Sequence, residues 1–155
     1  MKTNIGIKEE TAAVAEVLNK LLADHNVLYV KTRNAHWNVV GPDFHAQHLF
    51  FESIYDALAE TIDEIAERIR SIGHFAIGSM KEFLELTQLS ETKPAKNDSQ
   101  SYIKALLNDF ESIIISIRED LDKVEKTGDA GTEDFLVGIM EAHEKTAWML
   151  RSHLA

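Results

Sequence analysis

Apolar residues recur at three- and four-residue intervals along most of this chain, with polar residues filling the opposite side, and that period belongs to a helix. Val14, Val17, Leu18, Leu21, Leu22, Val27 and Leu28 form the first stripe and predict a helix from Glu9 to about Trp37. Gly41-Pro42 breaks the pattern, and Asp43 is placed to cap a second helix running to Ser71. Its stripe is Phe51, Ile54, Leu58, Ile62, Ile65 and Ile69, with Gly73 as the closing residue. Ser79-Met-Lys-Glu82 has the form of a capping box and opens a short helix of about ten residues through Leu86. The stretch 89–99, with Pro94, reads as a loop. A third long helix, Ser99 to about Lys126, turns Ile103, Leu106, Leu107, Phe110, Ile113, Ile114, Ile117 and Leu121 inward. Gly128 and Gly131 end it, and Thr132 is the expected cap of a fourth, carrying Phe135, Leu136, Ile139, Met140, His143, Ala147 and Leu150. No strand-like alternation and no long repeat interrupts this order. The expectation is all-α: a four-helix bundle with a short extra helix in the connection between helices two and three, long enough for an up-down-down-up path.

Composition agrees with one domain spanning 1–155, since 45% of residues are apolar and 27% charged. The formal net charge of −10 repels phosphate backbones and anionic membranes and attracts cations. Lys2 and Lys8 are offset by Glu9 and Glu10, and the sequence ends at Ala155 without a basic tail, so direct DNA binding is not expected. The absence of cysteine excludes disulfides, thiolate ligands and a cysteine nucleophile. No leader-like start and no apolar run of membrane-spanning length occurs, so a cytoplasmic protein without a membrane partner is expected.

Candidate chemistry concentrates between Asn34 and Arg70, which holds three of the seven histidines. On the second helix His48, Glu52, Asp63 and Glu67 fall within about 100° of one another, roughly 120° from the core stripe. His48/Glu52 and Asp63/Glu67 are i, i+4 pairs whose side chains can meet. Glu52 and Asp63 are about 16 Å apart along a straight helix, whereas metal bonds to imidazole or carboxylate are about 2 Å. One ion cannot bridge both pairs within one chain. Two such helices packed antiparallel about a two-fold axis near Ala57 and Leu58 place each histidine half opposite a carboxylate half, completing two equivalent sites. His36, joined to this helix through Gly41-Pro42, supplies a second imidazole. Two histidines and three carboxylates suit Fe(II), Mn(II) or Zn(II). An intra-chain di-iron site built on Glu-x-x-His is excluded because no histidine has glutamate three positions before it. The His-Glu-x-x-His motif of zinc proteases, a P-loop and a dinucleotide-binding turn are also missing.

The run His36-Trp37-Asn38, Gly41, Phe44, His48, then a carboxylate at 52, Asp63 and Glu67 resembles the Dps family, the miniferritins. The SMKEFLE and HEKTAWMLRSHL segments are similar as well, so the resemblance covers nearly the whole chain. It implies the ferritin-like form of the bundle and an inter-subunit ferroxidase site made by His36, His48, Glu52, Asp63 and Glu67. The implied activity is oxidation of Fe(II) by hydrogen peroxide, or more slowly by dioxygen, with ferric mineral stored in a hollow dodecamer of two-fold dimers. Zn or Mn are possible substitutes for iron. Glu52 departs from the family's more frequent aspartate. The resemblance also implies pore-lining acidic residues near Asp129, Glu133 and Asp134, whose other reading is a helix start favouring negative charge. Two further classes are a DNA-coating, nucleoid-protecting Dps and a structural helical shell without efficient ferroxidase activity. His25, His74, His143 and His153 read as surface or hydrogen-bonded structural residues, His45 as the same or, as the lesser alternative, an accessory ligand, and Trp37 and Trp148 as packing residues.

Overall fold

A computed structural model describes residues 5–7 and 11–155, so the expected helix start at Glu9 and the charges of Lys2, Lys8 and Glu10 lie outside the described residues. Five helices follow in order: α1 Thr11–Asn38, α2 Phe44–Ser71, α3 Met80–Leu86, α4 Ser99–Glu125 and α5 Ala130–Ser152. The described residues contain no strand, only an isolated parallel bridge between Val40 and Asp98.

The predicted stripes become the core. Val14, Leu18, Leu21 and Leu28 of α1 meet Phe51, Leu58, Ile65 and Ile69 of α2, with Leu106, Phe110, Ile113 and Ile117 of α4 and Leu136, Ala147 and Leu150 of α5. Each such large side chain, fully buried, contributes about 1.5–3 kcal/mol relative to exposure. Ile62, Ile114, Leu121 and Phe135 are only partly buried at its margin.

Short connections fold α1 against α2 and α4 against α5. Polar contacts set the direction of the second pair. Lys20 pairs with Asp120 and Lys31 with Asp109, so positions rise along α1 as they fall along α4. The Val40–Asp98 bridge holds the end of α1 beside the start of α4. The path is therefore up-down-down-up, with α3 on the long crossover against α1.

Local boundaries show where tertiary contacts intervene. α2 closes as the glycine rule expects: Ile72 is the cap, Gly73 follows at φ 99°, and His74 N–H donates to the Ile69 carbonyl at 3.1 Å. Asp43 occupies the cap position of α2, but its side chain makes no capping bond. The Ser79–Glu82 capping box is present. α3 nevertheless has seven residues rather than about ten. The missing residues are at its start, since Ser79 is the cap and Met80 the first helical residue, while its end at Leu86 is as expected. There the Thr87 hydroxyl and the Gln88 N–H both donate to the buried Asp24 of α1, at 2.7 Å each, and draw the chain off the helix. The cap of α5 is Asp129, not Thr132, and Gly131 lies inside the helix. Asp129 accepts from the Thr132 N–H at 3.1 Å and from its hydroxyl at 2.6 Å. Arg68 of α2 adds a 2.7 Å ion pair to Asp129 and a 2.9 Å bond to the Thr132 hydroxyl.

Candidate metal centre

The last turn of α1 and the first turns of α2 bring His36 and His48 together, with Glu52 four residues further along α2. His36 Nδ1 donates to the His48 carbonyl at 2.8 Å, and His48 Nδ1 donates to the His36 carbonyl at 2.9 Å. A carbonyl only accepts, so both Nδ1 atoms carry the proton, and in the neutral rings each Nε2 holds a free lone pair. Metal-ligating histidines are commonly oriented by this kind of second bond. The two rings stack with centroids 3.7 Å apart. His36 is almost fully buried, at 7% exposure, and His48 is half-buried.

Glu52, one helical turn beyond His48, is half-buried and accepts a 3.2 Å hydrogen bond from the Tyr55 hydroxyl. The edge of the Tyr55 ring meets His36 at 5.1 Å, and the Arg33 guanidinium lies 5.3 Å from the Tyr55 centroid and 4.8 Å from that of Trp37. Burial first, and the neighbouring Glu52 charge second, raise the Tyr55 pKa, keeping the phenol protonated as a donor. Neither Tyr55 nor Arg33 was among the sequence candidates. The signal available was positional, since Tyr55 lies three residues after Glu52 and Arg33 three before His36.

Asp63 and Glu67 face solvent further along α2, with no side-chain hydrogen bond or ion pair among the described residues. Glu67 borders an open hollow with Arg68 and Gly131. Among the described residues no three metal-ligating side chains come together in one chain. The chain thus presents two oriented imidazoles and, displaced along α2, two carboxylates without a side-chain partner among the described residues. His45 is exposed and joins neither.

The remaining candidates sort differently. His25 and His143 are buried and bonded to each other, Nε2 to Nε2 at 2.9 Å. His74 bonds the Thr11 hydroxyl at 2.8 Å, and exposed His153 contacts Gln47. Trp37 and Trp148 do not pack in the core of this chain, since both are 61% exposed. Each falls on the outer side of its helix, where periodicity could not distinguish it from a packing residue. Asp129 is 3% exposed and held by Arg68, so its carboxylate is not free to line a pore.

Comparison with known proteins gives a consistent answer. The ferritin-like domain model matches residues 15–155. An uncharacterized low temperature-induced protein of Nostoc sp. is 43% identical, across 99% of this chain and 87% of its own length. A Bacillus anthracis protein named DNA protection during starvation protein 2 is 40% identical, across 91% of this chain and 96% of its own. Among solved structures, the Dps protein of Vibrio cholerae O1, described as a member of a broad superfamily of ferritin-like diiron-carboxylate proteins, superposes with a TM-score of 0.93. It is 34% identical, covering 100% of this chain and 98% of that one.

Proposed function

Because the chain belongs to the Dps family of ferritin-like proteins, we propose that it is an iron-storage and detoxification protein whose ferroxidase sites are shared between two protomers. The observation that carries this reading is the reciprocal pair of Nδ1–carbonyl bonds, which leaves the Nε2 atoms of His36 and His48 free, with Glu52 one helical turn beyond His48. Asp63 and Glu67, without a side-chain partner among the described residues, are the carboxylates of the opposing half. Iron enters as substrate. The imidazoles bind Fe(II), and the carboxylates, as hard anionic oxygen ligands, favour the ferric product. Hydrogen peroxide takes one electron from each of two Fe(II) ions and, with two protons, leaves as two waters, so no hydroxyl radical is released. Dioxygen is the slower oxidant. Zn(II) or Mn(II) occupies the same donors as a substitute.

The assembly is a hollow dodecamer built from two-fold dimers, with ferric mineral inside. At −10 per chain, its field draws Fe(II) inward. The relatives named for DNA protection favour a second reading, in which the shell coats DNA. The net negative charge favours protection through iron removal instead. Stopped-flow oxidation of Fe(II) with peroxide or dioxygen, together with native mass, tests the proposal. Rapid peroxide-dependent oxidation in a shell of twelve chains is expected, and an assembled shell that oxidises iron no faster than buffer overturns it.

A further inference from the structure

Glu52 is the candidate ligand with the longest side chain on the histidine half, and the one with the most freedom to miss a metal. A glutamate carboxylate swings on three rotatable bonds, and holding it in one place costs entropy that aspartate would partly avoid. The structure supplies a restraint. Tyr55, three residues on, donates its hydroxyl to Glu52 Oε1 at 3.2 Å, one turn along the same face of α2. Tyr55 is in turn held on three sides. Its ring stands edge-on to His36 at 5.1 Å and edge-on to Tyr29 at 6.0 Å, and the Arg33 guanidinium covers it at 5.3 Å. Arg33 is fixed as well, donating to the Tyr29 hydroxyl at 2.9 Å. The phenol therefore touches one candidate ligand of α1 and one of α2.

Resting on the site proposed above, we infer that Tyr55 is a positioning residue. Its hydroxyl holds the Glu52 carboxylate, and its ring braces His36, so that the longer glutamate works where a shorter carboxylate would need no such restraint. Tyr55 ligates nothing itself. The cation over its face strengthens the phenol as a donor, and a hydrogen bond to one carboxylate oxygen leaves the other free for metal.

The test uses the full-length assembled protein titrated with Co(II) without oxidant, followed by visible absorption, alongside the Fe(II) dependence of peroxide-driven oxidation. Tyr55→Phe keeps the ring and its contacts and removes only the hydroxyl. Assembly mass and melting should stay as in the wild type, Co(II) affinity should fall about tenfold with an altered cobalt spectrum, and KM for Fe(II) should rise more than kcat falls. In a Glu52→Asp background, where the carboxylate retreats from the hydroxyl, the same Tyr55→Phe change should alter affinity less than about twofold. Equal Co(II) binding in the wild type and Tyr55→Phe, or an undiminished effect in the Glu52→Asp background, overturns the positioning role while leaving the proposed function intact. Wild-type protein that neither binds Co(II) nor oxidises iron overturns both.

Discussion

Asp63 and Glu67 lie outside the core and have no side-chain hydrogen bond or ion pair among the described residues. Changing Asp63→Asn together with Glu67→Gln should therefore slow iron oxidation by at least about tenfold while the shell assembles normally. Stopped-flow rates and native mass measured on one preparation decide this. Loss of assembly with normal oxidation in the residual shell would show the residues to be structural. Gly73 makes the opposite case, because its φ of 99° lies in the region that side chains avoid. Gly73→Ala should lower stability by about 1–2 kcal/mol, seen as an earlier unfolding midpoint. An unchanged midpoint would mean that the closing turn of α2 rearranges freely.

Where α1, α4 and α5 meet, the helices share a buried pair of histidines. His25 donates Nδ1–H to the Leu21 carbonyl at 2.8 Å, so in the neutral pair His143 donates Nε2–H to His25 Nε2. The edge of Phe110 closes over His143, and neither imidazole has a carboxylate partner among the described residues. Burial lowers the His25 pKa to about 4, its bond to the Leu21 carbonyl opposing only in part. Burial also lowers His143, with the His25 charge adding to the effect. Both folded values lie below those of the unfolded chain, so the unfolded chain binds more protons on acidification. The pair's contribution is intact above about pH 6.5 and is lost as pH falls toward 4, by about 3 kcal/mol for His25 alone. Urea unfolding at a fixed protein concentration should show stability falling from pH 7 to 5. The double variant His25→Leu, His143→Leu should have a flatter slope over that range, whatever its stability at pH 7. An unchanged slope would place the acid sensitivity elsewhere.

At the level of the assembly, the site proposed above would make activity a property of pairs of chains, because its two halves are separated along α2. A variant with His36 and His48 changed to alanine and another with Asp63→Asn and Glu67→Gln should each be nearly inactive. In a mixed dimer one site inherits both damaged halves and the other both intact ones, so half of those sites should recover. If folded variants form mixed dimers by mass yet restore no peroxide-dependent oxidation, the ligands must assemble within one chain. Net charge makes a separate prediction. At −10 per chain, duplex DNA should not co-migrate with the protein in a gel at neutral pH and ordinary salt. A metal-independent shift that weakens as salt rises would favour the DNA-coating reading.

The helices and the candidate ligands could be read from residue order because both depend on local geometry. A 3.6-residue period gathers Phe51, Leu58, Ile65 and Ile69 on one side of α2 whatever lies opposite, and the same period sets His48 beside Glu52 and Asp63 beside Glu67. The rest depended on which surfaces meet. Nothing local to either residue shows that His25 contacts His143, 118 positions away. Thr87 leaves α3 for a carboxylate on α1, and Asp129 becomes the cap of α5 with Arg68 of α2 held against it. The two Nδ1–carbonyl bonds that aim His36 and His48, like the Tyr55 ring that joins His36 to Glu52, exist only once α1 folds back on α2. Residue type and period specify what a side chain can do, whereas burial, tautomer and partner follow from long-range packing.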